Sequence, residues 1–168
     1  MSVLIAIDQG TTSTRALAFD KDLNIIHSEQ KEYPLIYPND GWVEIEPEHL
    51  MNSVYTTIDP VISACADISA IGITNQRETT LVWDADSGQP IYNAIVWQDR
   101  RTADQCAQLK KDGHEEVINT ATGLLLDPYF SSTKISWILQ RRASCRFQDR
   151  DLEKPLNGSS ELRCSRLG

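Results

Sequence analysis

The chain has 168 residues, 40% of them hydrophobic, and a formal net charge of −8, a size that favours one domain with a real core over two. Its acidity excludes a protein that tracks a nucleic-acid backbone, which needs a basic face to displace counterions. No apolar run approaches the roughly 20 residues that span a bilayer, and Met1-Ser2-Val3-Leu4 lacks the flank and cleavage site of a leader, so a cytoplasmic protein with no nucleic acid and no membrane among its partners is expected.

Val3 to Ile7 is a continuous apolar run that predicts a buried strand, and Ser13 to Asp20 predicts a second. Between them lies Asp8-Gln9-Gly10-Thr11-Thr12-Ser13-Thr14-Arg15. Gly10 permits positive φ and close backbone approach, and the amides and hydroxyls after it can donate to phosphate oxygens. Asp8, at the strand end, is placed to hold a metal ion. Taken alone, the run reads equally well as a phosphate turn or as a hairpin turn rich in Gly and Thr. Lys21-Asp22-Leu23-Asn24 is a further turn, and Ile25 to Tyr33 predicts a third strand of an antiparallel meander.

After the loop Tyr37 to Gly41, Glu46-Pro47-Glu48 opens a helix with Pro early and acid in the first turn. Leu50, Val54, Ile58, Val61 and Ile62 supply its apolar face. Pro60 predicts a kink or an early end. Strands are expected over Ile68 to Thr74, Thr79 to Asp84 and Ile91 to Trp97. Arg101 to Lys111 predicts a helix stopped by Asp112-Gly113, and Glu115 to Thr122 another stopped by Gly123. Ser131 or Ser132 is placed to cap a last helix carrying Ile135, Ile138 and Leu139.

At about Gln140 the character changes. Residues 141–168 hold seven of the sixteen Lys and Arg but only four of the twenty-four acids, which makes this segment +3 and residues 1–140 −11. It has no convincing helical or strand period, so a basic tail that is disordered or frameshifted is expected. Cys65, Cys106, Cys145 and Cys164 include no CxxC pair, and His27, His49 and His114 are equally scattered. Structural roles are expected for both sets.

Three segments stand in order behind the opening turn: Gly72-Ile73-Thr74-Asn75-Gln76-Arg77-Glu78-Thr79, Ile91-Tyr92-Asn93-Ala94-Ile95-Val96-Trp97-Gln98-Asp99-Arg100-Arg101 and Gly123-Leu124-Leu125-Leu126-Asp127-Pro128-Tyr129-Phe130-Ser131. From Leu4 to about Leu139 the chain thereby resembles the FGGY family of carbohydrate kinases and, within it, the glycerol kinases. The resemblance implies an α/β fold of the actin-like ATPase type, two domains of ribonuclease-H-like topology with ATP and substrate in the cleft between them. Residues 1–140 would be the N-terminal part of the first domain. Asp8 resembles the residue near Mg2+, Thr11, Thr12 and Ser13 the phosphate-contacting turn, and Arg15 the nucleotide-contacting arginine. Arg77, Glu78, Trp97 and Tyr129 resemble the glycerol contacts. Their types suit a triol, which needs a few fixed donors and acceptors beside an aromatic wall.

The implied reaction is transfer of the ATP γ-phosphate to a terminal hydroxyl of glycerol, giving glycerol 3-phosphate and ADP. The family's catalytic aspartate lies beyond the resemblance, and Asp149, Asp151 and Glu153 do not match its context. The chain is therefore read as an N-terminal fragment that does not turn over alone and leaves an apolar sheet face uncovered. Full-length members are expected to be homo-oligomers. The alternatives are another FGGY sugar or polyol kinase, a non-catalytic nucleotide-binding module and, more distantly, a chaperone ATPase that shares the phosphate turn.

Overall fold

A computed structural model describes residues 2–150. Strands β1 (Val3–Gln9), β2 (Ser13–Phe19) and β3 (Ile25–Glu32) form the expected meander, with Asp8 opposite Arg15 and Arg15 opposite Gln30. Period-two alternation decides their faces. Val3, Ile5 and Ile7 of β1 and Thr14, Ala16 and Ala18 of β2 point inward, so one face carries the core. After the two-residue strand β4 (Glu44–Ile45), helix α1 (Pro47–Ser63) crosses that face. The small side chains of Ala16 and Ala18 let it approach, and Val61 packs into the same cluster. Strand β5 (Ile68–Asn75) then pairs in parallel with β1, giving the mixed order β3-β2-β1-β5.

Pro60 lies inside α1, which continues past it and ends three residues later at Ser63. The proline stands in the last turn, where few further bonds depend on its geometry, and its own carbonyl accepts from the Ala64 amide at 3.1 Å. The strands expected over Thr79 to Asp84 and Ile91 to Trp97 contract. The first keeps only isolated bridges, Thr80 to Ile95 and Trp83 to Pro90, and the second shortens to β6 (Ala94–Ile95). β6 pairs with β4 in a two-stranded sheet beside a second apolar cluster of Tyr33, Val43, Ile45, Leu50, Ala94 and Val96.

Helices α2 (Ala103–Lys111) and α3 (Glu115–Thr122) fall where expected, and α3 ends on Gly123 at φ +73°. Helix α4 (Ser131–Arg150) runs straight past Gln140. Of the apolar residues expected on its inner face Ile138 is buried, beside Thr133 and Lys134, whereas Ile135 and Leu139 face solvent. Arg141 stands 4.7 Å from the Trp137 ring, and Arg142 donates to Asp84 at 3.0 Å. The disorder or frameshift expected of the tail falls, from residue 151 onward, outside the described residues. Cys65 and Cys106 are free thiols. Among the described residues no helix is long and apolar enough to cross a membrane. Leu4 is exposed on the outer sheet face, and on edge strand β5 Ile71 and Ile73, which stand level with Ile5 and Ile7 on the core-bearing face, are exposed as well, Ile73 at 75%.

Candidate functional site

Because β1 and β5 are parallel, their carboxyl ends open at the same sheet edge, the side on which α/β folds bind ligands. Asp8 lies there, opposite Arg15 on β2 and level with Thr74 on β5. Its carboxylate is exposed and makes no hydrogen bond or ion pair among the described residues. The turn after it is closed by the Gly10 amide donating to the Ser13 carbonyl at 2.9 Å. Gly10 is not among the positive-φ glycines, so its use here is close approach rather than a left-handed turn: a Cβ would sit 3.3 Å from that carbonyl, a tight contact that glycine avoids.

Tyr33 holds the turn from beneath. Its amide donates to the Thr12 carbonyl at 3.1 Å and its hydroxyl to the Gly10 carbonyl. Burial pushes its phenol up to about 12; a hydrogen bond from Gln76 opposes the shift and the Asp8 charge adds to it. Thr12 remains exposed. The Ser13 hydroxyl accepts from Gln30 at 3.2 Å, and the carbonyl oxygen of the same Gln30 accepts from Arg15 at 2.8 and 3.2 Å. Arg15 is thus fixed on the exposed face of the hairpin, on the same side as Asp8.

A second wall is built from the segments after β5, after β6 and before α4. The Trp97 indole N–H donates to the Thr11 hydroxyl at 2.9 Å, joining this wall to the turn. Tyr129 meets Trp97 edge-on, with ring centroids 6.0 Å apart, and is itself 36% exposed. Glu78 adopts φ +63°, a left-handed conformation that costs a non-glycine residue about 1–2 kcal/mol. Its Oε2 accepts from the Ser131 amide at 2.9 Å and from the Ser131 hydroxyl at 2.7 Å, so it caps α4 from across the chain. Oε1 makes no hydrogen bond among the described residues. Arg77 is exposed beside it and likewise makes none.

Thr11, Glu78, Trp97 and Tyr129 are therefore brought into one connected wall, while Arg15 and Arg77 stand at its margins. Sequence reasoning missed three supports. Gln76 accepts from the Thr79 hydroxyl at 2.9 Å, and that hydroxyl accepts from the Trp97 amide at 3.3 Å. Tyr33 looked like the end of a strand. Lys134 is fully buried and donates to the carbonyls of Glu78, at 2.6 Å, and Tyr129, at 2.8 Å. Burial lowers its ammonium to about 8, against the opposing pull of Glu78, Asp99 and Asp127.

Among the described residues no three His, Cys, Asp or Glu side chains converge as a metal cage. A lone exposed carboxylate such as Asp8 suits a cation that takes most of its ligands from water and a bound anion.

The model of the FGGY family of carbohydrate kinases, N-terminal domain, matches residues 3–150. A glycerol kinase of Allorhizobium ampelinum is 53% identical over 85% of this chain, and one of Xanthomonas campestris pv. campestris is 54% identical over 81%. The chain spans only 30% and 28% of those proteins' lengths. A crystal structure of Plasmodium falciparum glycerol kinase with ADP superimposes with a TM-score of 0.81 at 34% identity, over 90% of this chain and 31% of that one.

Proposed function

Since the chain belongs to the FGGY family of carbohydrate kinases, with the actin-like, ribonuclease-H-like ATPase fold of its structural relatives, we propose that it carries the phosphate turn and acceptor wall of a kinase that phosphorylates glycerol with ATP. The observation that carries this reading is the bond from the Trp97 indole to the Thr11 hydroxyl, which makes a phosphate-side residue and an acceptor-side residue neighbours in one site. The relatives named glycerol kinase support glycerol over larger polyols.

In this reading the amides and hydroxyls of Thr11, Thr12 and Ser13 donate to phosphate oxygens and Arg15 adds positive charge at the hairpin rim. Asp8 would hold magnesium, which when bound neutralises phosphate charge. Glycerol lies against the Trp97 ring, accepts from Arg77, donates to Glu78 Oε1 and meets the Tyr129 hydroxyl. Positioning is the main contribution these residues make to phosphoryl transfer, because the transferring group needs alignment more than covalent assistance. Glu78 is not suited to act as the base that orients the attacking hydroxyl, since its other oxygen is committed to Ser131.

The test is an amide and indole NMR titration of the chain. Glycerol should shift the Trp97 indole resonance, and Mg·ADP should shift the amides of Gly10 to Ser13, while xylulose shifts neither. A Trp97 indole indifferent to saturating glycerol overturns the proposal.

A further inference from the structure

The buried lysine at the head of α4 has no place in phosphate or polyol contact, yet its location is unfavourable on two counts. It is fully buried, where an ammonium loses its hydration, and it lies in the first turns of a helix, where the backbone dipole disfavours a cation. A methionine or leucine would fill the same space without either cost. What the lysine does make is a bridge: one Nζ joins the backbone carbonyls of Glu78 and Tyr129, two residues far apart in the sequence.

Glu78 is thus gripped at both ends by the start of α4. Its carbonyl is held by Lys134 and its carboxylate by Ser131, which fixes a left-handed backbone that would otherwise relax. We infer that Lys134 is a positioning residue for the acceptor site, setting the distance between the Glu78 carboxylate and the Tyr129 ring by clamping their two backbones to one atom. The inference rests on the proposal that glycerol binds at this wall. The charged and titratable groups facing the ammonium are Glu78, Asp99, Arg101 and Asp127; the lysine touches no part of the phosphate turn.

The experiment compares the wild-type chain with Lys134→Met and Lys134→Arg, measuring glycerol and Mg·ADP affinities separately by NMR titration. Loss of two hydrogen bonds to a charged donor should weaken glycerol about tenfold in Lys134→Met, with Mg·ADP affinity unchanged. Lys134→Arg, whose larger head must push the two carbonyls apart, should weaken glycerol by a smaller factor, again without touching Mg·ADP. Wild-type glycerol affinity in Lys134→Met, or equal losses for both ligands, overturns the inference. If Lys134→Met does not fold, Lys134→Arg decides alone: unchanged glycerol affinity in that folded variant overturns it. A wild-type chain that binds no glycerol overturns the underlying proposal and this inference with it, whereas glycerol binding that is indifferent to both substitutions overturns the inference only.

Discussion

Trp97 carries both an apolar ring and a polar handle, and the two are separable. Trp97→Phe keeps an aromatic wall but removes the donor to Thr11, a bond worth about 1 kcal/mol net. If the proposed function holds, the Thr11–Trp97 bond couples the two ligands: Mg·ADP should raise glycerol affinity in the wild type and raise it less in Trp97→Phe, and an equal gain in both, read by isothermal titration, counts against the coupling. Lys134 permits a different residue-level check. Its folded ammonium sits at about 8 against 10.5 in a free lysine, so between those values the unfolded chain holds a proton that the folded chain has released. Stability then rises with pH over that window. Melting of the wild type and Lys134→Met from pH 7.5 upward should show the difference moving in the wild type's favour, and a pH-independent difference contradicts the shift. These two residues also mark what could be read in advance. Asp8, Gly10 and the hydroxyl run stand out in the sequence, but alone they read equally well as a hairpin turn, and only the segments downstream favour a phosphate turn. A lysine in a helical pattern reads as solvent-facing, and nothing in its neighbours indicates that two distant carbonyls will converge on it.

At the scale of elements, long periodic segments were legible and short ones were not. α1, α2 and α3 and the meander follow from spacing and stops, whereas β4 and β6 have two residues each, too few to carry a period and formed only by tertiary pairing. On α4 the spacing places Ile138 correctly but not Ile135 and Leu139, because the packing also involves Lys134, Trp137 and the Glu78 cap. Its far attachment is the bond from Arg142 to Asp84. That bond, followed by those from the Ser87 amide and hydroxyl, lowers the Asp84 carboxyl to about 2. The sign is fixed by linkage: the contribution is present above the ordinary value of 3.8 and is lost as pH falls toward 2. The pair is partly exposed, so Arg142→Ala should leave the melting temperature nearly unchanged while hydrogen exchange at the Asp84 and Gly88 amides accelerates. Unchanged exchange at those amides would show that the bond does not hold the turn.

Among the described residues of the molecule there are two apolar clusters, one between the large sheet and α1 and one around β4 and β6, and the wall of Glu78, Trp97 and Tyr129 stands where the second meets α4. Arg101 ties that junction together. Its guanidinium is fully buried, pairs with Asp99 and Glu44 at 2.8 Å each, and lies 4.0 Å from the Trp42 ring and 4.6 Å from the Trp137 ring of α4. Burial works against its charge, but the hydrogen bonds and charges of Asp99 and then Glu44 outweigh it and raise its affinity for the proton. Asp99 in turn accepts from the Val43 amide at 2.7 Å, and Glu44 from Tyr92 and Asn93, so one cation organises strand, loop and helix. Removing it leaves two buried carboxylates facing each other, a change that typically costs about 3–5 kcal/mol. Arg101→Leu should lose that much in urea unfolding. Arg101→Lys should lose less but not recover, because an ammonium keeps the charge without the planar fork that reaches both acids and stacks on both rings. Adding Asp99→Asn to Arg101→Leu should return part of the loss by removing one orphaned charge, a coupling that a double-mutant cycle isolates. Additive losses, or a loss for Arg101→Leu of under about 1 kcal/mol as for an exposed pair, would mean that the second cluster and α4 are joined by apolar packing alone.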